Sequence, residues 1–474
     1  MKFGASLPAR SCVFPVMRLR LVAAAAVLPL LVLVPASSGT PRRTVAAPTF
    51  ASYAAPPGVG DMAGEPSLGV DRDTGDVLFL ALLETLRVRG LGTATTTWQD
   101  VAPLHTKVQT QDPILWTDPV SGRTWVSQLD LACTRIAYTD DAGATWTPSL
   151  LGCAPGAMFD HQTVGSGPWV AGSRLAALAQ YPRAVYFCAH DGFVSHCGTS
   201  VDGGRTFLPA VVTHIANVCA SNSGHVKTAP DGTVYLPPTY CGVDFDPLST
   251  PRYMGVVVSE DNGLSWEVRP VPGSTYGSAG HPSLAVGSDG TVFYGWGGNA
   301  GTYYGPPYAA VSTTRGKTWS TPVRLGAEYG IVNTRFVTTV AGDGDRAAVA
   351  YLGSTTPGNA DEPGFTGEWH EYVSFTYDRG AHWSTVDATP GAPVQVGAVC
   401  LLGSLSCGDN TRNLYDFQDA VIDNQGRVLI AIADGCPGTE CTTTAPRLQK
   451  ATIVRQESGR GLLAAYDAKS QPPS

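Results

Sequence analysis

An all-β chain assembled from repeated hairpins is the fold class this sequence predicts, and three observations predict it. An eight-residue phrase, Ser/Thr-x-Asp-x-Gly-x-Ser/Thr-Trp, returns along the chain. A second repeat, of short strand, glycine-centred turn and more apolar strand, returns seven times. The composition, with 54 Gly, 36 Pro, 18 Tyr and 10 Trp against a charged fraction of 15%, is that of a turn-rich β protein.

The phrase is complete at 139–146 (TDDAGATW) and 259–266 (SEDNGLSW), and at 200–207 (SVDGGRTF) with Phe for Trp. It is nearly complete at 376–383 (TYDRGAHW), and at 312–319 (STTRGKTW) Thr314 stands where Asp is expected. Its physics is that of a tight turn: Asp accepts from backbone amides, Gly supplies the positive φ, the hydroxyl ties the far side and Trp packs beneath. Such regular recurrence after β-rich runs marks a repeat array. The phrase resembles the Asp-box (BNR) repeat of the sialidase-like β-propellers, over a stretch from about residue 61 to the C-terminus. The resemblance implies a single β-propeller of four-stranded blades with the boxes on the outer rim, away from the active site. They therefore identify scaffold and not chemistry.

Taken in order, the chain opens with Met17-Arg18-Leu19-Arg20, an apolar run at 21–34 and small residues at Ala36-Ser37-Ser38. That is the pattern of a secretory signal over 1–38, with Met17 an equal candidate for the start. The run is shorter than the roughly 20 residues that span a bilayer. Residues 39–60, rich in Pro, Ala, Thr and Gly, read as a disordered leader, 61–468 as the propeller and 469–474 as a disordered tail. An exported, secreted monomer without membrane insertion is expected. The net charge of −8 argues against nucleic acid and anionic membranes as partners.

Of eleven cysteines, Cys12 falls in the expected signal segment. The other ten pair in order as Cys133–Cys153, Cys188–Cys197, Cys219–Cys241, Cys400–Cys407 and Cys436–Cys441, predicting local disulfide staples in an exported chain. No CxxC spacing of a structural zinc site occurs.

The seven hairpin units open at Glu65, Asp112, Asp160, Gly224, His281, Arg335 and Gln418. They favour seven blades, with six as the alternative if the end units merge to close the ring. In a propeller the innermost strands line a central channel. Their opening residues bring one set to its mouth: Glu65, Asp112, Asp160 with His161, His225 with Lys227, His281, Arg335 and Asp419. Singly, each would be an ordinary solvated lining residue. A ring offering imidazole, carboxylate and guanidinium together can bind a ligand or do chemistry.

The sialidase resemblance implies an arginine clamp on a carboxylate, opened by an Arg-Ile-Pro motif, a Tyr nucleophile paired with a Glu, and an Asp acid/base. Arg-Ile-Pro is absent, and Glu65-Pro66-Ser67 stands at the matching place. Arg335 and Arg412 remain as clamp candidates, and Tyr415, or Tyr372 with Glu371, as the nucleophile. The stretch Arg412-Asn413-Leu414-Tyr415 reads equally as a loop packed on its blade.

Three functions follow. The first is a sialidase-like glycoside hydrolase working through Asp112, Asp160, Glu65 and Asp419, with Arg335, Arg412, His161, His225, Lys227 and His281 binding substrate. The second is a divalent-metal-centred propeller on His161, His225 and His281 with Asp112 or Glu65. The third is a non-catalytic glycan- or protein-binding face shaped by the loops 182–198, 239–253 and 354–371. Tyr294, Trp296 and the tyrosines at 303–308 could stack on a sugar, but Trp296 is expected to pack between blades. Trp369-His370-Glu371 is expected to begin an outer strand. No glycine-rich phosphate loop occurs, so no nucleotide cofactor is expected.

Overall fold

A computed structural model describes residues 46–107, 111–130, 133–150, 160–242, 252–275, 280–298, 305–403, 406–408, 410–438, 441–444 and 446–467. The expected signal segment, the tail from 469 and Cys153 lie outside them.

Alternation of apolar and polar residues, broken by Gly and Asp turns, makes seven antiparallel sheets of meandering strands. Blade 1 comprises Ser67–Val70, Val77–Ala81, Glu84–Arg89 and Thr97–Asp100, and blade 2 comprises Gln111–Thr117, Thr124–Asp130, Cys133–Thr139 and Thr147–Pro148. Blade 3 runs through Asp160–Gly167, Ala184–His190, Val194–Ser200 and Val211–Ile215, and blade 4 through Lys227–Thr228, Val234–Leu236, Gly255–Ser259 and Glu267–Pro270. Blade 5 has Ser283–Val286, Val292–Gly297, Pro307–Ser312 and Val323–Arg324. Blade 6 has Asn333–Ala341, Ala347–Ser354, Glu368–Thr376 and Ser384–Asp387, with Gln395–Val396 paired to the third. This is a seven-bladed β-propeller; the described helices are single 3-10 turns.

Closure corrects one expectation. Blade 7 takes three strands from the C-terminal end, Asp419–Ile422, Val428–Asp434 and Lys450–Ser458, and its outermost strand, Thr49–Ala54, from the segment read as a disordered leader. Composition concealed it: Thr-Phe-Ala-Ser-Tyr-Ala is too short to stand out among Pro and Ala. Pairing with the last strand satisfies its backbone, Phe50 packs on Phe375, and Lys450 Nζ donates to the carbonyls of Pro56 and Val59 and to Asp61.

The recurring phrase folds into one hydrogen-bonded turn each time. Asp141 accepts from the Thr139 hydroxyl (2.7 Å), the Thr145 amide (2.8 Å) and the Thr145 hydroxyl (2.6 Å), while Gly143 N–H donates to Thr139 Oγ1. Asp202 and Asp261 repeat the set, and Asp378 repeats it with His382 in place of the second hydroxyl. In the divergent copy the Thr314 hydroxyl takes over, accepting from the Thr318 amide at 2.8 Å. These turns also join blades. Trp146 Nε1 donates to Val101 O, Trp125 Nε1 to Gly203 O, Asn262 Nδ2 to Tyr186 Oη, and Arg315 and Arg379 reach Asp231 and Asp289 of the preceding blades.

The core lies between successive blades. Trp296, 1% exposed, packs with Tyr235, Met254, Val256 and Tyr294 between blades 4 and 5, as expected. Four of the five cysteine pairs form as expected, at 188–197, 219–241, 400–407 and 436–441. Cys133 is also disulfide-bonded. Among the described residues no helix is long and apolar enough to cross a membrane.

Candidate functional site

One end of the channel is built by a repeated irregularity. The innermost strands of blades 2, 3 and 6 slip register between Gln111 and Ile114, Asp160 and Thr163, and Arg335 and Thr338. The slipped residues Asp112, His161 and Phe336 take left-handed backbone, φ 49, 52 and 56, and Glu65 in blade 1 does the same at φ 55. Left-handed backbone costs a non-glycine residue on the order of 1–2 kcal/mol. A bulge so placed re-aims a side chain out of the strand's ordinary alternation.

The result is a tight cluster. His161 N–H donates to Asp112 Oδ2 (3.2 Å) and Asp160 Oδ1 (3.0 Å), and Gln162 Nε2 donates to Asp112 O at 2.5 Å. The His281 ring lies 3.8 Å from the His161 ring, centroid to centroid. Arg412 binds Asp416 through both nitrogens, Nη2 at 2.6 Å from Oδ2. Ligand atoms of Asp112, His161 and Asp416 lie within 4.8 Å of one another.

Burial governs the charges. Desolvation, reinforced by Asp112, holds Glu65 well above the usual carboxylate range. Asp160 is pushed up to about 6 by desolvation and by its hydrogen bond with Asp112. Desolvation depresses His161, and drives His225 and His281 well below the ordinary imidazole value. At neutral pH the rings are therefore neutral, able to offer a lone pair.

His225, Lys227 and Asp419 form a neighbouring group. The His225 ring meets Phe417 edge-on at 4.8 Å, and its Nδ1 is 4.0 Å from Asp419 Oδ1. Lys227, two residues along the same strand face, extends over Trp116 at 4.6 Å toward the far end of the channel. Phe417 also meets the His161 ring, at 6.0 Å, so His225 borders the His161 cluster.

Two clamp and nucleophile candidates sit elsewhere. Arg335 is 0% exposed: Nε donates to Val399 O, Nη1 to Thr334 O and Nη2 to Asp361 Oδ1. The bulge that turns Phe336 leaves Arg335 facing the loop beyond blade 6. Glu371 and Tyr372, neighbours on a strand, point to opposite faces. Glu371 accepts from Gln418 Nε2 at 2.7 Å, whereas Tyr372 stacks on Tyr351. Tyr415 stays near the cluster, where desolvation and the Glu65 charge raise its pKa.

A cavity of about 480 Å³ opens onto the cluster at His281 and Asp416 and is walled by Ser221, Asn222, Thr239 and Tyr240. Asn222 Oδ1 is buried without a hydrogen-bond partner. The wall is stapled, because the Cys219–Cys241 disulfide joins its two segments. Sequence reading missed Asp416, one position past the quoted Arg412–Tyr415 stretch. The available signal was the i, i+4 spacing of Arg412 and Asp416, which suits an ion pair across a turn. Asn222 carried no signal beyond proximity to Cys219, whereas Thr239 and Tyr240 open the loop 239–253 expected to shape a binding face.

No protein-family model matches the chain, and no curated protein does. Among solved structures it is similar to a protein of unknown function from Dyadobacter fermentans (13% identity, TM-score 0.44, 85% of this chain and 97% of that one). It is also similar to the fucose-recognising, six-bladed lectin of Aleuria aurantia (12%, 0.40, 75% and 97%). A third is the intramolecular trans-sialidase of Ruminococcus gnavus (13%, 0.38, 86% and 95%). At these identities and scores the likenesses carry no functional argument.

Proposed function

We propose that the chain is an exported, monomeric glycan-directed hydrolase whose channel mouth receives a terminal sugar. The observation that carries this reading is the cavity wall: the Asn222 side-chain oxygen Oδ1 lies buried without a donor, beside Ser221, Thr239 and Tyr240. A polyhydroxylated ligand supplies donors and acceptors to such a wall, and an unmet buried acceptor is worth about 1–3 kcal/mol to the ligand that satisfies it. Glu65 and Asp160, at the cluster against which the cavity opens, are the acid/base pair, one carboxyl protonating the leaving oxygen while the other assists water.

A sialidase-type carboxylate clamp is the weaker form of this reading. Arg412 is already neutralised by Asp416, Arg335 is turned away, and the cavity is lined by Asp416 and neutral residues, with no Lys or Arg among them. A neutral sugar meets less repulsion there than a sialic acid. The test is hydrolysis of a panel of fluorogenic glycosides by the purified chain. Turnover of a neutral glycoside, lost about a hundredfold or more in Glu65→Gln and Asp160→Asn, is expected. Preference for a sialoside with dependence on Arg335 would reverse the substrate assignment.

A further inference from the structure

The geometry points to a divalent-cation site formed by Asp112, His161 and Asp416, with the cation of the Zn²⁺ or Mn²⁺ class.

Two observations carry it. The first is convergence: one ligand atom from each residue lies within 4.8 Å of the others. Bonds of about 2.0–2.2 Å to a tetrahedral centre place ligands about 3.4 Å apart. The second is an orphaned nitrogen. His161 is 5% exposed, yet its Nε2 is buried without a partner. An unpartnered, buried imidazole nitrogen is a ready ligand for a cation.

The surroundings supply the rest. Arg412 grips Asp416 and fixes its carboxylate while leaving lone pairs for an ion, so Arg412 is a positioning residue. Two carboxylates and a neutral imidazole form a mixed oxygen and nitrogen set, which suits Zn²⁺ or Mn²⁺ better than an all-oxygen Ca²⁺ site. A dication would also be favoured by the carboxyl groups gathered there, of which Asp416 is held by Arg412. The set shares His161 and Asp112 with the metal alternative read from sequence and takes Asp416 where that reading took His225 and His281.

The assignment does not depend on the hydrolase reading, and its test reads metal alone. The chain, stripped with EDTA and dialysed, is titrated with Zn²⁺ and with Mn²⁺ by calorimetry. One ion per chain is expected, bound at least tenfold more weakly by Asp112→Asn, His161→Gln and Asp416→Asn. Asp71→Asn, in a turn of blade 1, should bind like wild type. Circular dichroism checks that each variant is folded. If a variant fails to fold, pulsed electron paramagnetic resonance of Mn²⁺-loaded wild type decides, with nitrogen coupling from an imidazole expected. Absence of stoichiometric binding, undiminished binding by the folded variants, or no nitrogen coupling overturns the proposal. Glycoside turnover unaffected by chelation would leave the hydrolase reading standing without it.

Discussion

The imidazoles of His161 and His281 lie 3.8 Å apart, centroid to centroid, although they come from blades 3 and 5. Blade 4 lies between them in sequence, and its own histidine, His225, packs edge-on against Phe417. Two rings meet closely in a buried site only when both are neutral, and desolvation keeps them so. His281 Nδ1 is buried without a partner, so the fold spends no hydrogen bond on it. His281→Phe should accordingly leave stability within about 1.5 kcal/mol of wild type. It should weaken ligand binding at the channel mouth about tenfold, with melting curves and calorimetric titration as the paired readouts.

Arg335 and Arg412 should separate cleanly. Arg335→Ala leaves Asp361 buried without its cation and should cost about 3–5 kcal/mol in urea unfolding. Ligand affinity below the shifted transition should be preserved. Arg412→Ala should do the reverse, because its pair with Asp416 is only partly buried and stands at the cavity. Loss of affinity in a stable Arg335→Ala variant would restore the clamp reading.

Asp434 provides a pH signature away from the site. Desolvation pushes its carboxyl up to about 6, and its oxygen accepts from Cys436 N–H at 2.9 Å. A folded pKa above the unfolded one means that its contribution to stability is full below about pH 4 and is lost as pH rises through 6. Asparagine keeps the acceptor and carries no charge. Asp434→Asn should therefore melt like wild type at pH 4 and be more stable at pH 7.5 by about 2–3 kcal/mol. Equal gains at both pH values would refute the linkage.

The strand Thr49–Ala54 closes the ring. Deleting residues 46–54 bares the edge of Lys450–Ser458 and uncovers Phe375. The truncated chain should lose several degrees in melting temperature and aggregate at concentrations where the intact chain does not, as light scattering would register.

Much of this was legible in the sequence because blades repeat. Aligning the hairpins brought Glu65, Asp112, Asp160, His161 and His281 to one end of the channel, since each opens an innermost strand. The same alignment misplaced Arg335, because a bulge hands its position to Phe336, and bulges leave no mark in hydrophobic alternation. Glu371 and Tyr372 were paired by adjacency, which in a strand means opposite faces. Asp416 and Asn222 come from connections that follow no period, so proximity to the cluster arises only from the fold. The closing strand was hidden by composition, since its partner stands about 400 residues away in sequence.

The most direct test of the account is calorimetric binding of simple methyl glycosides, which registers a sugar whether or not it is cleaved. Wild type should bind at least one neutral glycoside, with affinity reduced about tenfold or more in Asn222→Ala and Arg412→Ala and unchanged in Trp319→Ala on the blade 5 rim. Binding that survives both channel-mouth substitutions and disappears with Trp319 would contradict the account and move the site to the side of the propeller.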